Sequence, residues 1–261
     1  MSLKELSQKY LIRPFQMLMT PICFLVSLYA AFVYGECLSL VYDPILTRPG
    51  LLYANLGGFT IVFQEIRGWG PVTGNLPFLA LLVGILAAAV VNVFNNKYYF
   101  RRFTENGNKA VPEARLPPMM IGGIMFSGGL FLFGCELCQP ILWSYLTWPG
   151  TSSPTVNFWP SIVGIGLTGF GFTTIFQAAI NYIVDTFTRY AASAIAAATL
   201  LRSIFACAFL LFIGPLYHRI GVNWGTTVLA CTAALLVPVP FIFFFYGREI
   251  RAKNEWSRFS V

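Results

Sequence analysis

The amino-acid sequence predicts an all-α integral membrane fold of six transmembrane helices, and three observations support it. Apolar residues make up 57% of the 261-residue chain, charged residues only 10%, and the mean hydropathy is +0.69. Soluble domains carry roughly 25% charged residues, so this chain lacks the charge to cover a globule in water. Its uncharged residues fall in runs of roughly 20, the length a helix needs at about 1.5 Å per residue to cross about 30 Å of hydrocarbon. The bases sit in short clusters between those runs, as membrane-protein loops arrange them.

Taken in order, residues 15–35 form the first span, with a continuation over 51–63 beyond an interruption at Glu36–Gly50 that brings in Glu36, Asp43 and Arg48. The second and third spans are the uncharged runs 76–94 and 116–135. Leu137 to Val184 is uncharged throughout and too long for one crossing. The turn-forming cluster Pro149–Pro154 breaks it, and the fourth span runs over 160–184, with Pro160 suited to a first helical turn. The fifth covers 191–217, interrupted only by Arg202, and the sixth 222–246. Residues 1–14 and 247–261 flank this 15–246 membrane domain as cytoplasmic segments. With six spans both termini share a side, and that side receives thirteen bases against three (Arg48, Arg67 and Arg219) on the other. This asymmetry assigns both termini to the cytoplasm. The first apolar run begins only after Arg13 and continues at full span length, so the start is not read as a signal peptide.

Small residues spaced four apart on the fifth span (Ala192 and Ala196, Ser193 and Ala197) and Gly164, Gly166, Gly169 and Gly171 on the fourth predict close helix contacts, which replace the hydrophobic drive in lipid. Sliding between such smooth faces is the alternative use.

The net charge of +7 does not indicate nucleic acid, because the bases form no stripe and no binding motif accompanies them. Enzyme chemistry finds little material. His218 is the single histidine, Cys135 and Cys138 have zinc-like spacing without a second pair, and no phosphate-binding G-x-x-x-x-G-K loop occurs. No metal, cofactor or catalytic residue is expected.

Polar groups inside hydrocarbon need a partner or a water-filled cavity. Gln177, Asn181 and Asp185 lie at successive intervals of four, so one helix face carries a polar stripe from mid-membrane to the cytoplasmic end. Read functionally, that stripe faces a substrate and ends in a gate between Asp185 and Arg189. Read structurally, its amides satisfy neighbouring helices and the charges pair at the interface. Arg202, about a dozen residues inside its span, is either a counter-charge on a substrate or proton path or half of a buried pair. Glu136, ending the third span, is either solvated at the outer interface or a proton-carrying acid.

One stretch, Gly171-Phe-Thr-Thr-Ile-Phe-Gln-Ala-Ala-Ile-Asn-Tyr-Ile-Val-Asp-Thr-Phe-Thr-Arg-Tyr, running into Leu201-Arg-Ser, resembles the tenth and eleventh helices of fungal major facilitator transporters of the drug:proton antiporter branch, which includes polyamine and multidrug exporters. Phe63-Gln-Glu-Ile-Arg-Gly-Trp-Gly, Pro112-Glu-Ala-Arg-Leu-Pro-Pro and Gly221-Val-Asn-Trp-Gly-Thr-Thr agree in order. The resemblance implies the second six-helix half of a twelve-helix protein whose substrate binds between the halves. It implies a plasma-membrane exporter of drugs, polyamines or other organic cations, coupled to protons and completed by an N-terminal half or a second copy. Asn55, Phe63, Gln177, Asn181 and Tyr182 would line the cavity, with Asp185, Arg189, Arg202 and Glu136 in gating or coupling. Without such a partner the chain would be a non-transporting remnant or an assembly partner. Against the family pattern, Glu36–Gly50 is a fifteen-residue insertion, compatible in length with a retained intron. It is expected to loop out of the membrane, because a central charge costs about 2.5–3.5 kcal/mol on insertion. Thr20 and Gly57 stand where many relatives carry acids.

Overall fold

A computed structural model describes residues 12–41, 70, 72–107, 109–137, 159–220 and 222–252, and among these every regular element is helical. The helices are α1 (Arg13–Leu18), α2 (Pro21–Val41), α3 (Pro77–Glu105), α4 (Pro117–Leu137), α5 (Trp159–Thr186), α6 (Ala191–Ile220), α7 (Val222–Leu236) and α8 (Pro238–Ala252). Proline opens α2, α3, α4 and α8, where its missing N–H has no intrahelical partner to lose. Gly107, at φ +66°, closes α3 by donating its N–H to the Thr104 carbonyl, a left-handed stop that a side chain would strain.

Five segments are long and apolar enough to cross a membrane: 73–105, 112–132, 159–186, 188–209 and 227–252. The apolar stretch Pro21–Glu36 within α2 is shorter than these five. The last segment is bent, with Val237 separating α7 from α8. Pro238 has no N–H to give the Ala234 carbonyl, which accepts from Val237 instead at 3.2 Å.

Helix α5 is the hub. It packs most extensively on α4 and α3 and also touches α2 and α6, while α2 lies along α6 and α4 along α7. Glycine permits the tightest of these contacts. A Cβ built on Gly171 would stand 2.6 Å from the Gly122 carbonyl oxygen, one on Gly129 would stand 2.7 Å from that of Gly164, and one on Gly84 would strike the Gly166 carbonyl. Gly164 and Gly171 therefore admit α4, while Gly166 and Gly169 admit α3. Buried Thr168 and Thr174 donate to carbonyls of their own helix, so neither leaves a hydroxyl unsatisfied at these contacts. Tyr29, Phe126, Ile165, Ile175, Tyr182 and Phe243 fill the centre.

The structure departs from the sequence reading at the end of the first span. Helix α2 does not stop at Gly35 but continues through Val41, with Glu36 wholly buried. Thr232 Oγ1 of α7, which donates to the Leu229 carbonyl at 2.8 Å, lies 3.4 Å from Glu36 Oε1 and gives the acid a polar neighbour within the helix. The rest of the expected insertion, 42–50, lies outside the described residues.

Candidate functional site

Three polar constellations depend on this packing. The first is a cavity of about 490 Å³ between α3, the α3–α4 connection and α5. Asn92, Asn95 and Asn96 project from α3, and Thr173, Gln177 and Asn181 meet them from α5. Arg115 closes one side. It sits in the 3-10 turn Pro112–Arg115 and donates from Nε to Asp185 Oδ2 at 3.0 Å and from Nη1 to Asn96 Oδ1 at 2.8 Å. Its guanidinium carbon lies 3.5 Å from the centroid of the buried Tyr99 ring. Three directional contacts thus hold one planar cation and tie α3, α5 and the turn together.

The second is an aromatic shelf on α2 and α5. Phe172 and Phe176 stack at 5.9 Å and 14°, and Tyr34 completes a triangle at 6.3 and 6.4 Å from them. The Arg202 guanidinium of α6 lies 5.0 Å from the ring centroids of both Tyr34 and Phe176. Beside it a cleft of about 40 Å³ is lined by Ser27, Ala30, Ala198 and Thr199 among others.

The third is a charged lock where α5 and α8 meet the 3-10 turn. Arg251, 3% exposed, donates to Glu113 Oε1. The Tyr182 ring packs 6.1 Å from Phe243, and a Cβ at Gly247 would come within 3.3 Å of both Tyr182 Oη and Glu113. Around this lock, Arg102, Lys109, Arg248 and Glu105 border a groove of about 470 Å³. Arg13 stacks over Tyr190 at 5.3 Å on the same charged end of the bundle.

The residues singled out from sequence thus separate. Gln177 and Asn181 line the first cavity together. Tyr182 does not join them: it is one residue on and about 100° further round the helix, so it turns into the core toward α8. Asp185 makes its salt bridge with Arg115, not Arg189. An i, i+4 pair needs an unbroken helix, and α5 ends at Thr186, with Arg189 exposed on the following 3-10 turn. Arg202 faces aromatic rings. Glu136 falls within α4, one residue before its end. Asn55 and Phe63 lie outside the described residues.

Sequence reasoning missed Arg115, the three asparagines of α3 and the shelf rings. The asparagines carried a signal: Asn92, Asn95 and Asn96 are spaced at three and four, one face of a helix. Arg115 had been counted only as a loop charge, and nothing local to it announces Asp185, seventy residues away.

Known proteins resemble the chain over nearly its full length. It is 50% identical over 258 residues to the efflux pump bik6 of Gibberella fujikuroi, an alignment covering 99% of this chain and 47% of that protein. It is 37% identical to the MFS-type efflux pump MFS2 of Trichophyton rubrum and 34% identical to the major facilitator superfamily multidrug transporter FLU1 of Candida albicans, each time over 98% of this chain and 38% of the relative. The chain therefore spans less than half the length of these relatives. No protein-family model matches it, and no solved structure matches it.

Proposed function

From the premise that this chain is homologous, along almost all its residues, to the C-terminal half of fungal major facilitator efflux transporters, we propose that it forms one half of an exporter of drug-like small molecules. It would work by alternating access against an N-terminal six-helix half, with protons as the coupling ion and the plasma membrane as its site. The positively charged end, where Arg13, Arg102, Arg115 and Arg251 gather, would face the cytoplasm.

The observation that carries this reading is the amide-lined cavity. Five amides, Asn92, Asn95, Asn96, Gln177 and Asn181, line one open cavity between α3 and α5, with Arg115 at its side. Left against lipid they would be costly, and a second half or a water-filled path resolves that cost. Polyamines or other organic cations are the substrates the resemblance first suggests. A non-transporting assembly partner is the second reading.

The test is co-expression of this chain with the N-terminal half of the Gibberella relative in a fungal strain stripped of efflux pumps, loaded with fluorescent drugs of either charge. Reduced accumulation that a protonophore abolishes is the expected result. Unchanged accumulation of every compound, despite co-purification of the two halves, would establish the assembly-partner reading in its place.

A further inference from the structure

Among the described residues, the acids of α2, of α5 and of the 3-10 turn are engaged elsewhere. Asp185 is held by Arg115, Glu113 by Arg251, and Glu36 faces Thr232 on α7. Glu36 is two residues from Tyr34 and so about 200° round α2 from it, on the far side of the helix from the shelf. Among the described residues no carboxylate pairs Arg202, whose contacts are the faces of Tyr34 and Phe176. Ring faces hold a guanidinium but do not cancel its charge. The result is a fixed positive charge beside three rings that stack within 34° of one another.

A cationic ligand is poorly served there. The Arg202 guanidinium would repel it in a low-dielectric setting. A planar aromatic acid meets the opposite conditions. Its ring system extends the stack on Phe172 and Phe176, and its carboxylate accepts two parallel hydrogen bonds from the guanidinium fork. Thr199, exposed in the adjoining cleft, offers a hydroxyl for a further polar substituent.

We propose that the shelf of Tyr34, Phe172 and Phe176 with Arg202 is a binding site for planar aromatic carboxylates and disfavours organic cations. This names a substrate class for the exporter proposed above and rests on that reading only for the consequence that the ligand is transported. The binding itself stands on the side chains.

The test uses the 261-residue chain in zwitterionic nanodiscs, titrated with pyrene-1-carboxylate and with pyren-1-ylmethylammonium, one ring system carrying either charge, against protein-free discs. The carboxylate is expected to bind at least about tenfold more tightly. Arg202→Gln should abolish that preference, Arg202→Lys should keep its sign at lower affinity, and Phe176→Leu should weaken both probes without changing their order. Binding of neither probe, a preference for the ammonium, or a preference that survives Arg202→Gln overturns the proposal. Carboxylate binding through Arg202 with no export from the completed transporter leaves this site standing and removes the transport reading. Export of cations that is indifferent to Arg202→Gln does the reverse.

Discussion

Replacing Arg115 by methionine probes a charge that joins three partners across the bundle. The change removes Nε–H···Asp185 at 3.0 Å, Nη1–H···Asn96 at 2.8 Å and the stacking on Tyr99 at 3.5 Å. The Arg115 and Asp185 side chains are 17% and 16% exposed, so water re-solvates only part of the carboxylate left behind. Breaking a buried pair by removing one partner costs about 3–5 kcal/mol, whereas a surface pair is worth about 0–1 kcal/mol. One-sixth exposure places this pair near the lower end of the buried range, about 3 kcal/mol, or about two decades in the unfolding equilibrium. Arg115→Met/Asp185→Leu, which removes both charges and keeps the volume, should regain at least half of that loss. The assay is reversible unfolding in mixed micelles at increasing SDS fraction, followed by far-UV circular dichroism as a double-mutant cycle. Arg101→Met serves as the control, because its pair with Glu105 is 80% and 50% exposed and should not register. Single losses that simply add in the double variant, within about 0.5 kcal/mol, would refute the argument that the two charges stabilise each other across the bundle.

Three further expectations follow from the packing and the cavity. Gly171→Ala, whose new methyl would stand 2.6 Å from the Gly122 carbonyl, should lose about 1–3 kcal/mol in the same assay, whereas Gly128→Ala, with nothing within 4 Å, should not be destabilised. Thr232→Val removes the hydroxyl in contact with buried Glu36 and should cost about 1–3 kcal/mol, with Thr232→Ser retaining most of the stability; equal losses for both would count against that contact. In a cysteine-free background in membranes, Gln177→Cys should react with a charged, membrane-impermeant thiol reagent and Ile124→Cys, exposed on the outer face of α4, should not. No labelling of Gln177→Cys would mean that the amide-lined cavity is dry.

Sequence periodicity made the helices legible because lipid imposes one severe rule, uncharged runs of span length, on every crossing. It was blunt where local chemistry competes with that rule. The helix passed through Glu36 because Thr232, nearly two hundred residues on, receives the carboxyl, and no window around Glu36 contains that information. The bend at Val237 was readable in Pro238 and Pro240. The polar stripe Gln177–Asn181–Asp185 was identified, but its terminal partner was drawn from the nearest base in sequence. Helix α5 breaks at Phe187, so the nearest base in sequence is not the nearest in space.

The two candidate binding features are one surface seen from two sides of α5. Taking about 100° per residue and setting Gly164, which admits α4, at the origin, Phe172 and Phe176 fall near 80° and 120°, and Thr173 and Gln177 near 180° and 220°. The aromatic shelf and the amide cavity therefore adjoin on the flank of α5 that turns away from α4, flanked by α2 and α6 on one side and α3 on the other. Gly164 and Gly171 draw α4 in on the opposite arc, while Gly166 and Gly169, near 200° and 140°, admit α3 beside the polar residues. A single helix thus packs α4 on one side and on the other sets its aromatic and polar residues around the contact with α3. A completing six-helix half would have to meet both features at once. A ligand held between the halves would then lie with its ring plane on Phe172 and Phe176 and its polar edge reaching the amides of Gln177 and Asn181. The Arg202 variants should therefore alter which ligands bind, and the asparagine variants of α3 how well the two halves assemble.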